Sequence, residues 1–168
     1  MVESVSDVTI GPVRYGDLAE ILKNYERFWG DKEFPRTLHH PMFFIEFADT
    51  ALVARDSGGE IIGYLLGFIA PPGNGYIHLV AVRDDARGRD IGRELYETFF
   101  ENARGRGATA VKAITNPENA ASIAFHRRMG FTNLVRVDDY GGSGKTRVVM
   151  RRALDDQPRD DRPLDIRK

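Results

Sequence analysis

Residues 79–95 read Leu-Val-Ala-Val-Arg-Asp-Asp-Ala-Arg-Gly-Arg-Asp-Ile-Gly-Arg-Glu-Leu, an apolar run followed by a charged, glycine-containing turn and the start of an amphipathic stretch. A strand that leads through such a turn into a helix aims successive backbone N–H groups into one concavity. The free amides of the helix start add partial positive charge, so a phosphate or diphosphate is well served there. Gly88 and Gly92 let an anion approach the backbone closely. Arg83, Arg87, Arg89 and Arg93 supply cations, partly offset by Asp84, Asp85 and Asp90. The plainer reading is an arginine-glycine turn that only begins a helix.

Two phosphate-binding motifs are excluded by spacing. A nucleoside-triphosphate loop needs Gly-Lys followed by Ser or Thr, which does not occur here. The dinucleotide fingerprint needs glycines spaced G-x-G-x-x-G, whereas Gly88 and Gly92 lie four apart. A different phosphate-bearing cofactor is called for.

The elements that must hold this turn follow from hydrophobic spacing. Residues 8–13 predict a strand. Leu18, Ile21, Leu22, Tyr25 and Phe28 then recur at helical spacing between Asp17, a plausible N-cap, and Gly30, a plausible stop. Residues 34–48 hold Pro35 and Pro41 and then an aromatic-rich run, which suggests a loop and a short apolar helix. Residues 51–54 and 61–69 flank a turn at 56–59 and predict a hairpin. A second turn at 71–75 leads into a strand over 76–82. Ile91, Leu95, Phe99 and Ala103 recur every four residues and predict an amphipathic helix ending near Gly105 and Gly107. Residues 108–115 predict a strand, 117–129 a helix, and 134–137 with 147–151 a closing strand pair. The order β-α-α-β-β-β-α-β-α-β-β implies an α/β fold: a central mixed sheet with helices on both faces.

With 168 residues, 42% of them hydrophobic and 29% charged, the chain predicts a single domain over 1–154. Residues 155–168 carry five Asp and two Pro against two large apolar residues, and read as a solvated tail, with docking in a homodimer as the second reading. A net charge of -1 directs the chain to neither nucleic acid nor an anionic membrane. No apolar run reaches the length of a signal peptide or a membrane span, so a soluble, cytoplasmic protein is expected. The absence of cysteine excludes thiolate metal sites and any acyl-cysteine intermediate. No metal is expected.

Residues 116–131, Asn-Pro-Glu-Asn-Ala-Ala-Ser-Ile-Ala-Phe-His-Arg-Arg-Met-Gly-Phe, make a strand end, a helix and a Gly-Phe exit. Together with 79–95 they resemble the two signature motifs of the GNAT superfamily of N-acetyltransferases, Q/R-x-x-G-x-G/A after a strand and N-x-x-A-x-x-x-Y-x-x-x-G-F. The likeness covers 76–131, about a third of the chain.

The resemblance implies acetyl-CoA as cosubstrate. Arg87, Asp90 and Gly92 fall on the marked positions of the first motif, so the amides of Arg87, Gly88, Arg89, Asp90, Ile91, Gly92 and Arg93 would cradle the diphosphate of coenzyme A. Asp90 stands where glycine is usual; it tolerates left-handed backbone, yet its carboxylate opposes the anion unless it turns away or pairs with an arginine. Val80, Ala81 and Val82 would offer main chain to the pantetheine arm and the thioester carbonyl. Asn119 would bond the same arm, and Ser122 stands where alanine is usual. His126 takes the place of the usual tyrosine, which is commonly held to protonate the departing thiolate. The plainer reading of His126 is a half-buried helix residue.

The reaction implied is direct acetyl transfer to an amine, carried by approximation and main-chain stabilisation of the developing oxyanion. The amine needs a base. Tyr76 and His78, two apart on one strand, face the same way and are candidates, with core packing as the alternative. Glu46 and Asp49, near the second helix, are further candidates, with exposed surface acids as the favoured reading. Tyr25, Phe28, Trp29 and Tyr140 lie where the family selects its acceptor and suggest an aromatic pocket for a small or amphipathic primary amine. A peptide or protein N-acetyltransferase is the second reading, and a CoA-binding module without turnover the third.

Overall fold

The structure, a computed structural model, describes residues 8–70 and 73–154; the tail at 155–168 and Pro71 and Pro72 of the second turn lie outside the described residues. Seven strands form one mixed sheet. They are β1 (Thr9–Pro12), β2 (Leu52–Arg55), β3 (Ile61–Ala70), β4 (Asn74–Val82), β5 (Ala110–Thr115), β6 (Asn133–Val137) and β7 (Arg147–Ala153), in the order β1-β2-β3-β4-β5-β7-β6. Helices α1 (Asp17–Lys23), α2 (Tyr25–Trp29), α3 (Met42–Ile45), α4 (Ile91–Gly105) and α5 (Ala120–Arg128) connect them, with short 3-10 turns at Phe34–Leu38 and Asp84–Ala86. The chain divides into two compact units: the described parts of 1–68 with 78–102, and of 69–77 with 103–168.

In the first unit β1, β2 and β3 pair antiparallel, and the turn at 56–59 joins the last two as a hairpin. The single helix expected over 17–30 is two. Asn24, at φ -101° and ψ 18°, ends α1 and begins α2, and Gly30 closes the second at φ 60°. Asp17 is not the cap. It occupies the first helical position with its carboxylate buried, accepting from the Arg14 amide at 2.7 Å and pairing with Arg55 at 2.5 Å. Phe28, Phe43, Tyr64, Leu66, Leu79 and Ala81 belong to this unit's hydrophobic core.

Helix α4 buries Ile91, Leu95 and Phe99 at a spacing of four, one stripe of the helix. Its head rests on β3 at Gly63. A Cβ placed there would stand 2.9 Å from Ile91 Cγ2, so only glycine admits this approach.

In the second unit β4 runs parallel to β5 from Asn74↔Ala110 to Ile77↔Ala113, and β7 pairs antiparallel with both β5 and β6. Val111, Ala113, Met129, Phe131, Val149 and Met150 are among its buried apolar residues. The glycine-rich connection between β6 and β7 is closed by its own bonds: the Gly144 amide donates to Asp139 Oδ1 at 2.6 Å and the Lys145 amide to the Gly142 carbonyl at 2.9 Å. It is a hairpin connection.

Candidate active site

Burial alternates along β4. Gly75, Ile77, Leu79 and Ala81 face the core, while Tyr76, His78, Val80 and Val82 share the half-buried face. Past Ile77 no pairing of β4 with β5 is recorded, so the main chain of Val80, Ala81 and Val82 keeps an edge without a strand partner among the described residues.

Beyond β4 the chain is pinned before it turns. The Arg83 amide donates to the Ile62 carbonyl at 2.9 Å, and the buried Arg83 guanidinium reaches Asp85 at 2.6 Å and Glu60 at 2.9 Å. Arg27 of α2 joins the same two acids at 3.0 and 3.7 Å. The turn then passes through two left-handed residues, Gly88 at φ 77° and Asp90 at φ 58°. The N–H groups of Gly88, Arg89, Asp90, Ile91, Gly92 and Arg93 have no acceptor among the described residues. Such amides at the head of a fifteen-residue helix carry the positive end of its dipole.

The local charge resolves into pairs. Arg87 is bound to Asp84 at 2.6 Å and Arg93 to Asp90 at 3.0 Å. Arg89 makes no ion pair among the described residues, so the excess of one cation among four Arg and three Asp over 83–93 rests on it.

A cavity of about 400 Å³ lies beside this turn within the first unit. Phe28, Trp29, Gly30, Asp31 and Lys32 form one side, and Val80, Ala81, Val82, Asp84 and Arg87 the other. The size suits a small molecule. Tyr25 does not line it. It is 2% exposed, donates to the Lys32 carbonyl at 2.5 Å and carries the Arg36 guanidinium over its ring at 4.1 Å, so it supports the chain behind the cavity.

His78 stacks on Phe43 at 4.7 Å, with Nε2 3.0 Å from the Leu38 carbonyl. A carbonyl only accepts, so Nε2 carries the proton and Nδ1 a lone pair. Burial lowers this imidazole's proton affinity, which keeps it neutral near pH 7. His78 is not among the lining residues of the cavity. Glu46 and Asp49 are exposed.

In the second unit Asn119 caps α5, its side-chain oxygen accepting from the Ser122 amide at 3.1 Å. His126, 5% exposed, packs edge-on to Phe131 at 4.9 Å. Its Nδ1 lies 2.8 Å from the Ser122 carbonyl and 3.3 Å from the Ser122 hydroxyl. The carbonyl again fixes the proton on Nδ1, so Nε2 presents a lone pair. Delivering a proton from Nε2 requires the imidazolium, and burial lowers its pKa. Tyr76 is pushed up to about 12, by burial first and by Tyr140 second, and so stays protonated. Tyr140 is 41% exposed in the hairpin.

A partnerless strand edge running into a turn of acceptor-free amides at a helix head is the construction of an acetyltransferase of the GNAT class. The chain belongs to the acetyltransferase (GNAT) family, whose model matches residues 17–131. Members of that family are acyltransferase enzymes. The chain is similar to the L-methionine sulfoximine/L-methionine sulfone acetyltransferase of Pseudomonas paraeruginosa, 42% identical over 84 residues, 48% of this chain and 49% of the relative. It is similar as well to the L-2,4-diaminobutyric acid acetyltransferase of Shouchella clausii, 33% identical over 85 residues, 49% of this chain and 47% of the relative. The matches therefore span about half the length of these curated relatives. In fold it resembles the NatC complex bound to Gag peptide and CoA, with a TM-score of 0.70 at 19% identity, covering 89% of this chain and 99% of that one.

Two features of the site had no signal in the sequence. Arg83 and Glu60 meet across 23 residues, and nothing in their spacing announces it. Asp31 and Lys32 follow the stop at Gly30 and read as ordinary surface charge until the fold sets them at the cavity.

Proposed function

We propose that the chain is an acetyl-CoA-dependent N-acetyltransferase that moves an acetyl group directly to the primary amine of a small molecule. The carrying observation is the run of acceptor-free amides from Gly88 to Arg93, with Arg89 as the uncommitted cation beside it. A diphosphate supplies the acceptors these groups lack. Bound acetyl-CoA supplies the acetyl thioester. The open edge of Val80, Ala81 and Val82 bonds the pantetheine arm, aligns the thioester carbonyl and stabilises its developing negative charge.

The acceptor occupies the cavity between Trp29 and Val80–Val82, whose lining joins the apolar Phe28, Trp29 and Val80 to the charged Asp31, Lys32, Asp84 and Arg87 and so suits a small, polar or amphipathic amine. Both named relatives act on amino acids. Lys32, which makes no ion pair among the described residues, is placed to receive a carboxylate carried by such an amine. His78 accepts the amine proton at Nδ1 through water. With no cysteine in the chain an acyl-cysteine relay is excluded, which leaves direct transfer as the simplest course.

Thiol release from acetyl-CoA across a panel of amino acids, their decarboxylated amines and short peptides tests this. Turnover of a small amine is expected, fastest for those bearing a carboxylate. Turnover of peptides alone would favour the peptide reading, and binding of acetyl-CoA without thiol release for any amine the non-catalytic one.

A further inference from the structure

An indole N–H, a phenol and an imidazole buried together are costly unless each finds a partner. In the first unit they find one another. Trp29 Nε1 lies 2.7 Å from the Tyr64 hydroxyl, that hydroxyl 2.7 Å from His39 Nε2, and His39 Nδ1 2.8 Å from the Pro35 carbonyl. The direction is forced. Pro35 can only accept, so His39 Nδ1 carries the proton and Nε2 the lone pair. The single Tyr64 proton then goes to His39, and the Tyr64 oxygen accepts from the indole. Burial lowers the proton affinity of His39, which preserves that arrangement near pH 7.

The chain of bonds is enclosed at its middle and open to the cavity at one end. Tyr64 is 0% and His39 7% exposed, while Trp29 is a lining residue of the cavity. Edge-on contacts hold the same rings, Tyr64 against Phe28 at 5.1 Å and against His39 at 5.6 Å. Apolar side chains of similar volume would fill this space without needing partners, and would leave the indole free to turn. The hydrogen bonds select one orientation.

We propose that Tyr64 and His39 are positioning residues that fix the Trp29 indole as a wall of the acceptor cavity and thereby set the affinity for the amine. The proposal rests on the acetyltransferase reading of that cavity. Neither residue touches substrate. Their effect passes through Trp29, which presents a rigid apolar face to the body of the amine.

Trp29 is the single tryptophan of the chain, so emission reports on this one ring. In Tyr64→Phe the ring remains and the hydroxyl is lost. Its indole is expected to become more accessible to iodide, with a quenching constant about twofold higher and emission shifted to longer wavelength. The KM for the amine should rise about tenfold, the worth of a buried hydrogen bond, while that for acetyl-CoA stays within about twofold. Trp29→Phe should raise the amine KM similarly, and the double variant should add little more, since both act through the same ring. His39→Leu, which keeps the Tyr64 hydroxyl and removes its acceptor, should give a smaller change in the same direction; the unfolding midpoint of each variant reports whether it is folded. Tyr64→Phe emission and quenching equal to wild type, or fully additive KM effects, would overturn the positioning role. Failure of the wild-type chain to acetylate any amine would instead bring down the assignment of the cavity and this proposal with it, whatever the emission shows.

Discussion

Asp90 folds its carboxylate back onto the arginine three residues on, with Oδ2 3.0 Å from Arg93 Nη2, while its own backbone stands at φ 58°. One residue thus introduces a negative charge into a turn suited to an anion and spends a cation in offsetting it. Both side chains are well exposed, so the pair itself is worth little and yields to salt. What it decides is how much positive charge the turn has left.

Asp90→Gly is therefore expected to tighten acetyl-CoA, by about fivefold at low salt and less as screening grows. The same change removes a left-handed penalty of about 1 kcal/mol and should raise the unfolding free energy slightly. Calorimetric titration at two ionic strengths reads the first effect and urea unfolding the second. Weaker binding would show that the carboxylate has a constructive part in the turn.

Gly63→Ala tests what seats the head of α4. The added methyl would meet Ile91 Cγ2 at 2.9 Å, tighter than packed carbons allow. Overpacking of this kind costs about 1–3 kcal/mol. Affinity for acetyl-CoA should fall more than affinity for the amine, because the helix that moves carries the proposed cradle. Equal losses for both ligands in a titration would count against this placement.

His126→Phe separates a proton donor from a packed helix residue. With Nδ1 committed to Ser122 and burial opposing the imidazolium, kcat should fall by less than about tenfold, against the hundredfold or more expected on losing a general acid. Steady-state rates over a range of pH provide the comparison.

The three buried or half-buried imidazoles also set an acid limit to stability. His39, His78 and His126 all bind a proton less readily in the fold than the ordinary value of 6.5, because burial penalises the charged ring. As pH falls through 6.5 the unfolded chain takes up protons that the folded chain does not. Stability should hold above that pH and decline below it until the folded imidazoles also titrate. The decline should be shallower in His126→Phe, as chemical unfolding at pH 7.5, 6.5 and 5.5 would show.

Residues 79–95 and the hairpins were legible because their signals are local: alternation at 76–82, a stripe of four at Ile91, Leu95 and Phe99, turn residues at 56–59. The break at Asn24 was not, since an apolar stripe continues from Ile21 to Tyr25 and Phe28 and periodicity alone predicts one helix. Asp17 has the residue type of a cap, yet a partner 38 positions away claims it. The bonds joining Trp29, Tyr64 and His39 span 35 and 25 positions, and a histidine beside Leu38 and His40 has no periodicity to expose it. Local chemistry reads from the sequence; contacts made by tertiary closure do not.

A crystal structure of the chain with coenzyme A bears most directly on the cradle. The diphosphate oxygens should lie about 3 Å from the amides of Gly88 to Arg93, with the pantetheine arm along the open edge of Val80–Val82. Coenzyme A bound elsewhere, with those amides left to water, would contradict the account.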